Sequence, residues 1–314
     1  MSRIHEALKK AEQERAASQG GAAQPGFTPI AAEAPARVED SPVAAGVAPS
    51  MAAHVQPSPL PSFTSPFTQD SLLTRSAQLE WRPDQKTMLF FNGDDNVRGA
   101  EEFRTLRSRL YHTREKRGLK KVLVTSALPK EGKSFLAANL AQVIVRQHGR
   151  RVLLIDADLR APRLHLMLGT TSSPGLSGYL KGENNEFSIM QRGPMENLFF
   201  IPSGQEITNP AELVANGRLK VLLQRVEPLF DWIIIDSPPA VPVSDASLLA
   251  TACDGVLMVV RSNSTPFDMA RRARQEFPEQ ALVGVVLNGT AEEAMPYARY
   301  YYETYERKTT ESKA

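Results

Sequence analysis

Cysteine is almost absent from this 314-residue chain: Cys253 stands alone. That excludes an internal disulfide and a cysteine-built metal site, and it suits a reducing compartment. An excess of one charge is lacking too. Lysine and arginine total 37 against 35 for aspartate and glutamate, a net of +2, so nothing points to nucleic acid as the main ligand. No apolar run reaches the roughly 18 residues a membrane-spanning helix needs, and the first residues hold no apolar stretch of the signal-peptide kind. The histidines, His148 and His165 among them, show no ligand spacing and read as surface or packing residues. These absences predict a soluble intracellular protein.

What is present divides the chain into four parts. Residues 1–16 read as a short helix with Ser2 as N-cap and Ile4, Leu8 and Ala11 on one face. A lone helix of that length is marginal in water, so it reads either as a frayed end or as a docking peptide for a membrane partner. Residues 17–84 are rich in Ala, Pro, Ser and Gly with few charges. Such a stretch buries too little apolar surface to offset chain entropy and is expected to be a disordered tether. Phe63, Phe67, Leu72, Leu73 and Trp81 near its end are candidates to pack or bind. A folded domain is expected over 85–290 and a tyrosine-rich tail over 291–314.

Within the domain, strand-like runs alternate with helical patterns. Strands are expected at Lys121–Thr125, Leu198–Pro202, Gly255–Val260 and Leu282–Leu287. Helices are expected at Gly99–His112, Ala137–Val145, around Ala211–Val226 and at Asp268–Phe277. This alternation predicts an α/β fold, a mostly parallel sheet covered by helices on both faces.

Three stretches carry the chemistry: Ser126-Ala-Leu-Pro-Lys-Glu-Gly-Lys-Ser134, Leu153-Leu-Ile-Asp-Ala-Asp-Leu-Arg160 and Ile233-Ile-Ile-Asp-Ser-Pro-Pro239. The first is a glycine-poor phosphate-binding loop, with Ala127 where the usual pattern has its first Gly. A polyphosphate needs dense donors and positive charge. Within the loop Ala127-Leu128-Pro129-Lys130-Glu131-Gly132-Lys133-Ser134-Phe135, the backbone N–H groups of every residue but Pro129, the dipole of the following helix and the Lys133 ammonium meet that need. The other two stretches are apolar strands that end in Asp, and such ends form the ligand crevice of an open α/β sheet. Ser134, Asp156, Asp158 and Asp236 are therefore candidate holders of a divalent metal, directly or through its waters. The three motifs together predict a site for ATP and Mg2+.

These motifs resemble the Walker A, A′ and B boxes of the bacterial tyrosine kinases (BY-kinases) of the CpsD/CapB type, P-loop NTPases related to MinD and ParA. The resemblance runs from about Asn96 to Asn288 and includes Ile201-Pro-Ser-Gly204 and Asn209-Pro-Ala-Glu-Leu213. It departs at Lys130, where the family often has Gly, and at Leu128, where MinD and ParA relatives carry a signature Lys. The resemblance implies a protein-tyrosine autokinase of capsule or exopolysaccharide synthesis, with Lys133, Asp156, Asp158 and Asp236 catalytic and Asn288 against the adenine.

Five of the seven tyrosines, Tyr297, Tyr300, Tyr301, Tyr302 and Tyr305, fall within nine residues among charged neighbours. By themselves they read as an aromatic patch; beside the kinase boxes they resemble an autophosphorylation tail. Glu101, Arg104 and Arg107 lie three apart, on one drifting stripe of a helix. That spacing fits a solvated face with an internal ion pair, and it also resembles the E-x-x-R-x-x-R motif through which the family assembles into rings. The resemblance further implies a homo-oligomer, a membrane-embedded polysaccharide co-polymerase as activator, a cognate tyrosine phosphatase, and a cytoplasmic kinase recruited by its partner to the inner face of the plasma membrane. Two other readings stay open: an ATPase switch of the MinD/ParA kind, and a nucleotide-binding scaffold.

Overall fold

The computed structural model describes residues 68–91 and 99–290. The expected helix at 1–16, most of the tether and the tyrosine tail lie outside the described residues. Eight strands form one sheet in the order β1-β4-β5-β3-β6-β2-β7-β8. They are β1 (Ala77–Gln78), β2 (Lys121–Ser126), β3 (Val152–Asp156), β4 (Gln191–Arg192), β5 (Leu198–Ile201), β6 (Trp232–Asp236), β7 (Gly255–Arg261) and β8 (Leu282–Asn288). All neighbouring pairs are parallel except β4 with β5.

The central strands are apolar on both sides because both sides are covered. Leu123, Leu153, Ile155, Ile233 and Ile235 face one core, closed by helices α5 (Leu176–Lys181), α6 (Pro210–Ala215), α7 (Arg218–Val226) and α8 (Asp245–Ala250). Val122, Val124, Leu154 and Ile234 face the other. That second core is closed by α2 (Ala100–Arg117), α3 (Lys133–Val145) and the short α4 (Leu164–Leu168). The α3 helix is buried nearly all round, Leu136 to Val145 included, since α2 packs over its outer side. Helix α9 (Phe267–Gln275) precedes β8.

Two expected boundaries move. The sequence puts the tether up to residue 84 and the domain from 85, but folded structure is already present at Thr68. A Thr68-capped helix α1 (Gln69–Arg75) buries Leu72, and β1 pairs with β4. Trp81, only 4% exposed, packs edge-on to Phe200 with ring centroids 6.1 Å apart. Gly193 is what admits it: a Cβ there would lie 2.2 Å from the indole. A few isolated apolar residues thus find tertiary partners that a composition window averages away. The other change divides the helical stretch expected around Ala211–Val226 into α6 and α7. Asn216 turns its amide to the Leu180 carbonyl (2.8 Å), and Gly217 takes a left-handed conformation, φ +82°.

Candidate active site

The phosphate loop lies between β2 and α3, and with so little glycine its shape is imposed from outside. Lys130 sits at φ +65°, where a side chain costs roughly 1–2 kcal/mol, which is why glycine suits that position. Gly132 has φ +97°, and a Cβ on it would meet the Asn288 amide at 2.0 Å. Five hydrogen bonds hold the loop. The Ser126 hydroxyl donates to the Leu128 carbonyl (2.8 Å), the Arg261 guanidinium to the Lys130 carbonyl (3.0 Å) and the Asn288 amide to the Glu131 carbonyl (2.9 Å). The Glu131 carboxylate, almost fully buried, accepts the Leu128 N–H (2.8 Å) and the Thr265 hydroxyl.

Above the loop, the register pairs Asp156 at the end of β3 with Asp236 at the end of β6. The Lys133 ammonium is 2.6 Å from Asp158 and 3.9 Å from Asp236. Burial works against its charge, but Asp236, Asp158 and Asp156 outweigh that and hold its pKa above the ordinary lysine value. Asp156 is spent on the backbone: its two oxygens accept the N–H groups of Asp158 (3.3 Å) and Leu164 (3.1 Å). Burial, followed by the nearby Asp236, raises its pKa well above the carboxylate range. Asp158 accepts the Ala161 N–H at 3.0 Å with its other oxygen.

Asp236 is different. It is fully buried, and neither oxygen meets a partner in hydrogen-bond geometry. Burial pushes its pKa up to about 6, against the pull of Lys133 and the neighbouring Ser134 hydroxyl. A buried, unsatisfied carboxylate next to a hydroxyl is a donor pair that suits a hydrated magnesium ion with few protein ligands. No ready-made cage of three or more acidic, His or Cys side chains exists among the described residues. Asp236 and Ser134 therefore fit the cation best, and Asp156, with its oxygens already engaged, fits least.

An AAA domain family model matches residues 130–268. Over 192 residues the chain is 35% identical to the tyrosine-protein kinase YwqD of Bacillus subtilis (strain 168), an alignment covering 60% of this chain and 81% of the relative. The chain belongs to the bacterial tyrosine-protein kinases. It is also 32% identical over 224 residues to the tyrosine-protein kinase wzc of Salmonella typhimurium, covering 71% of this chain but only 31% of that longer protein. The solved kinase domain of the Escherichia coli tyrosine kinase ETK superposes with a TM-score of 0.59 at 26% identity, over 69% of this chain and 90% of that domain. A mostly parallel P-loop sheet is thus the fold of the family as well as of this chain.

The kinase fold gathers Ala127 to Ser134, Asp156, Asp158 and Asp236 at one end of the sheet, where the motifs predict them. Ala127 is fully buried, and its carbonyl accepts the Val241 N–H at 3.4 Å. Phe135 turns its ring edge-on to Phe103, centroids 5.9 Å apart, because α3 faces it towards α2, so only its backbone N–H is on offer to the phosphate cradle. Asn288, expected at the adenine, lies against the phosphate loop: its amide N–H donates to the Glu131 carbonyl and its amide oxygen accepts the Gly289 N–H (2.9 Å). Glu101, Arg104 and Arg107 lie on α2, and the five tail tyrosines lie outside the described residues.

Sequence reasoning passes over Thr265 and Arg261, which hold the loop, and over Asp245. Asp245 is buried at the start of α8 and takes Arg160 in a two-pronged ion pair at 2.8 and 2.9 Å. That pair pins the segment carrying Asp158. A short turn and an acidic residue at a helix start give no local signal of such partners.

Proposed function

We propose that the chain transfers the γ-phosphate of Mg-ATP to its own C-terminal tyrosines, Tyr297, Tyr300, Tyr301, Tyr302 and Tyr305, mainly between subunits of an oligomer. The observation that carries the reading is the buried set of Lys133, Asp158 and Asp236, with Lys133 2.6 Å from Asp158, beside a phosphate loop in a chain of the tyrosine-kinase family. Magnesium, when bound with the nucleotide, would supply charge neutralisation at the phosphates, with Ser134 and Asp236 holding it. Lys133 then turns its ammonium from Asp158 towards the transferring group. Asp158, released from that ion pair, orients the incoming phenol and takes its proton. Asp156 keeps the loop after β3 in place through the two backbone bonds it already makes.

The same reading makes the kinase a regulator of capsule or exopolysaccharide export. It works as a ring of copies recruited to the inner face of the plasma membrane by a membrane-embedded co-polymerase and reversed by a tyrosine phosphatase. No helix among the described residues is long and apolar enough to cross a membrane. The test is mass spectrometry of purified protein after incubation with Mg-ATP, alone and with the cytoplasmic segment of a candidate activator. Phosphotyrosine in the tail is the expected result. Nucleotide hydrolysis with an unmodified tail would leave an ATPase switch instead.

A further inference from the structure

The buried carboxylate of Glu131 is an unusual feature of a phosphate-binding loop, because a negative charge at 3% exposure sits among groups meant to receive an anion. Its partners explain what it does. One oxygen takes the Leu128 N–H at 2.8 Å, closing the loop on itself, and the other takes the Thr265 hydroxyl from the turn after β7. That hydroxyl also accepts the Arg261 N–H at 2.9 Å, so its proton is left to point at Glu131. Arg261 reaches back to the Lys130 carbonyl at 3.0 Å, across the one residue of the loop with an unfavourable positive φ.

We infer that Thr265 and Arg261 are positioning residues for the nucleotide: through Glu131 and Lys130 they hold a glycine-poor loop in the curl that its own sequence does not favour. In a loop of this kind, free N–H groups face the phosphates only if the strained backbone is fixed in advance. The brace therefore acts on nucleotide affinity, while Lys133 and the carboxylates act on transfer.

The inference deepens the kinase reading, yet its test does not need phosphotyrosine. Affinity of the full-length protein for a fluorescent ADP analogue with Mg2+ is measured by titration for the parent, Thr265→Val and Thr265→Ser. Loss of one hydrogen bond to a buried charge predicts about a tenfold weaker complex for the valine variant. The serine variant keeps the hydroxyl and should bind like the parent, with an apo thermal midpoint close to the parent's. Glu131→Gln reads the same contact from the loop side and takes the place of Thr265→Val should that variant not fold. Parent-like affinity in Thr265→Val, or in Glu131→Gln where it takes that place, overturns the brace, as does a serine variant as weak as the valine one. If the parent binds the analogue but forms no phosphotyrosine, the kinase reading fails and the brace does not.

Discussion

Lys133 and Asp236 are 3.9 Å apart, and both are buried. The ammonium is stabilised there, whereas the carboxylate is held at a cost, because burial lifts its pKa from 3.8 to about 6. A folded-state pKa above the unfolded one means the folded protein binds more protons between those values. Stability from this group accordingly falls as pH rises through that window and is flat above it. Replacing Asp236 with Asn removes the penalty. The nucleotide-free variant should melt at a temperature equal to or a few degrees above the parent's at pH 7.5, at roughly 2–4 °C per kcal/mol, and should form no phosphotyrosine. Calorimetry showing a clearly lower midpoint would mean that Asp236 stabilises the fold. Lys133→Met should leave the fold intact and cut tyrosine phosphorylation by at least about 100-fold, the usual scale for losing a donor that stabilises the transition state. At this scale the sequence was most legible. Lys133, Asp156, Asp158 and Asp236 were identified because strand ends and a loop-helix junction dictate where their side chains meet. Thr265 and Asp245 were not, since their partners are 134 and 85 positions away.

At the scale of elements, the α2 helix separates two readings of one motif. Arg104 pairs with Glu101 one turn earlier, as a solvated face would. Arg107 reaches across to the Val143 carbonyl at 2.8 Å and so caps the end of α3 within its own chain. The two arginines should therefore respond differently. Arg107→Ala should cost about 1 kcal/mol for the lost bond and so lower the thermal midpoint by roughly 2–4 °C. Arg104→Ala should leave that midpoint nearly unchanged and shift the unmodified protein towards monomer in light scattering. An unchanged mass would leave the stripe as plain surface. The segment at 68–84 makes a prediction of the same kind: Trp81→Ala should cost on the order of 3–5 kcal/mol, because it empties a site walled by Phe91 and Phe200. A denaturant midpoint close to the parent's would contradict the packing described for that segment. Strands β2, β3 and β6 were readable from apolar runs ending in polar residues. Helix α1 was not, because its one buried anchor, Leu72, lies in a polar stretch and gains meaning only from the core it enters.

For the whole molecule, the proposed transfer runs from one subunit's site to another subunit's tail. From Asn288, at the edge of the loop, to Tyr300 is 12 residues, a reach of at most about 40 Å at roughly 3.3–3.6 Å per residue. Length alone permits modification within one chain, so a preference for the neighbour has to come from how the copies are arranged. Each added phosphate brings about −1.5 to −2 charges at neutral pH. A multiply modified tail would then repel its neighbours and loosen the assembly, giving a switch between assembled and dispersed states. The most direct measurement mixes two chains: Lys133→Met with an intact tail, and an active chain whose tail ends at Glu293. After Mg-ATP is added and mixed oligomers are verified, mass spectrometry should find phosphotyrosine on the Lys133→Met chain. If that chain stays unmodified while an intact active chain modifies itself, transfer is confined to one subunit and the account is contradicted.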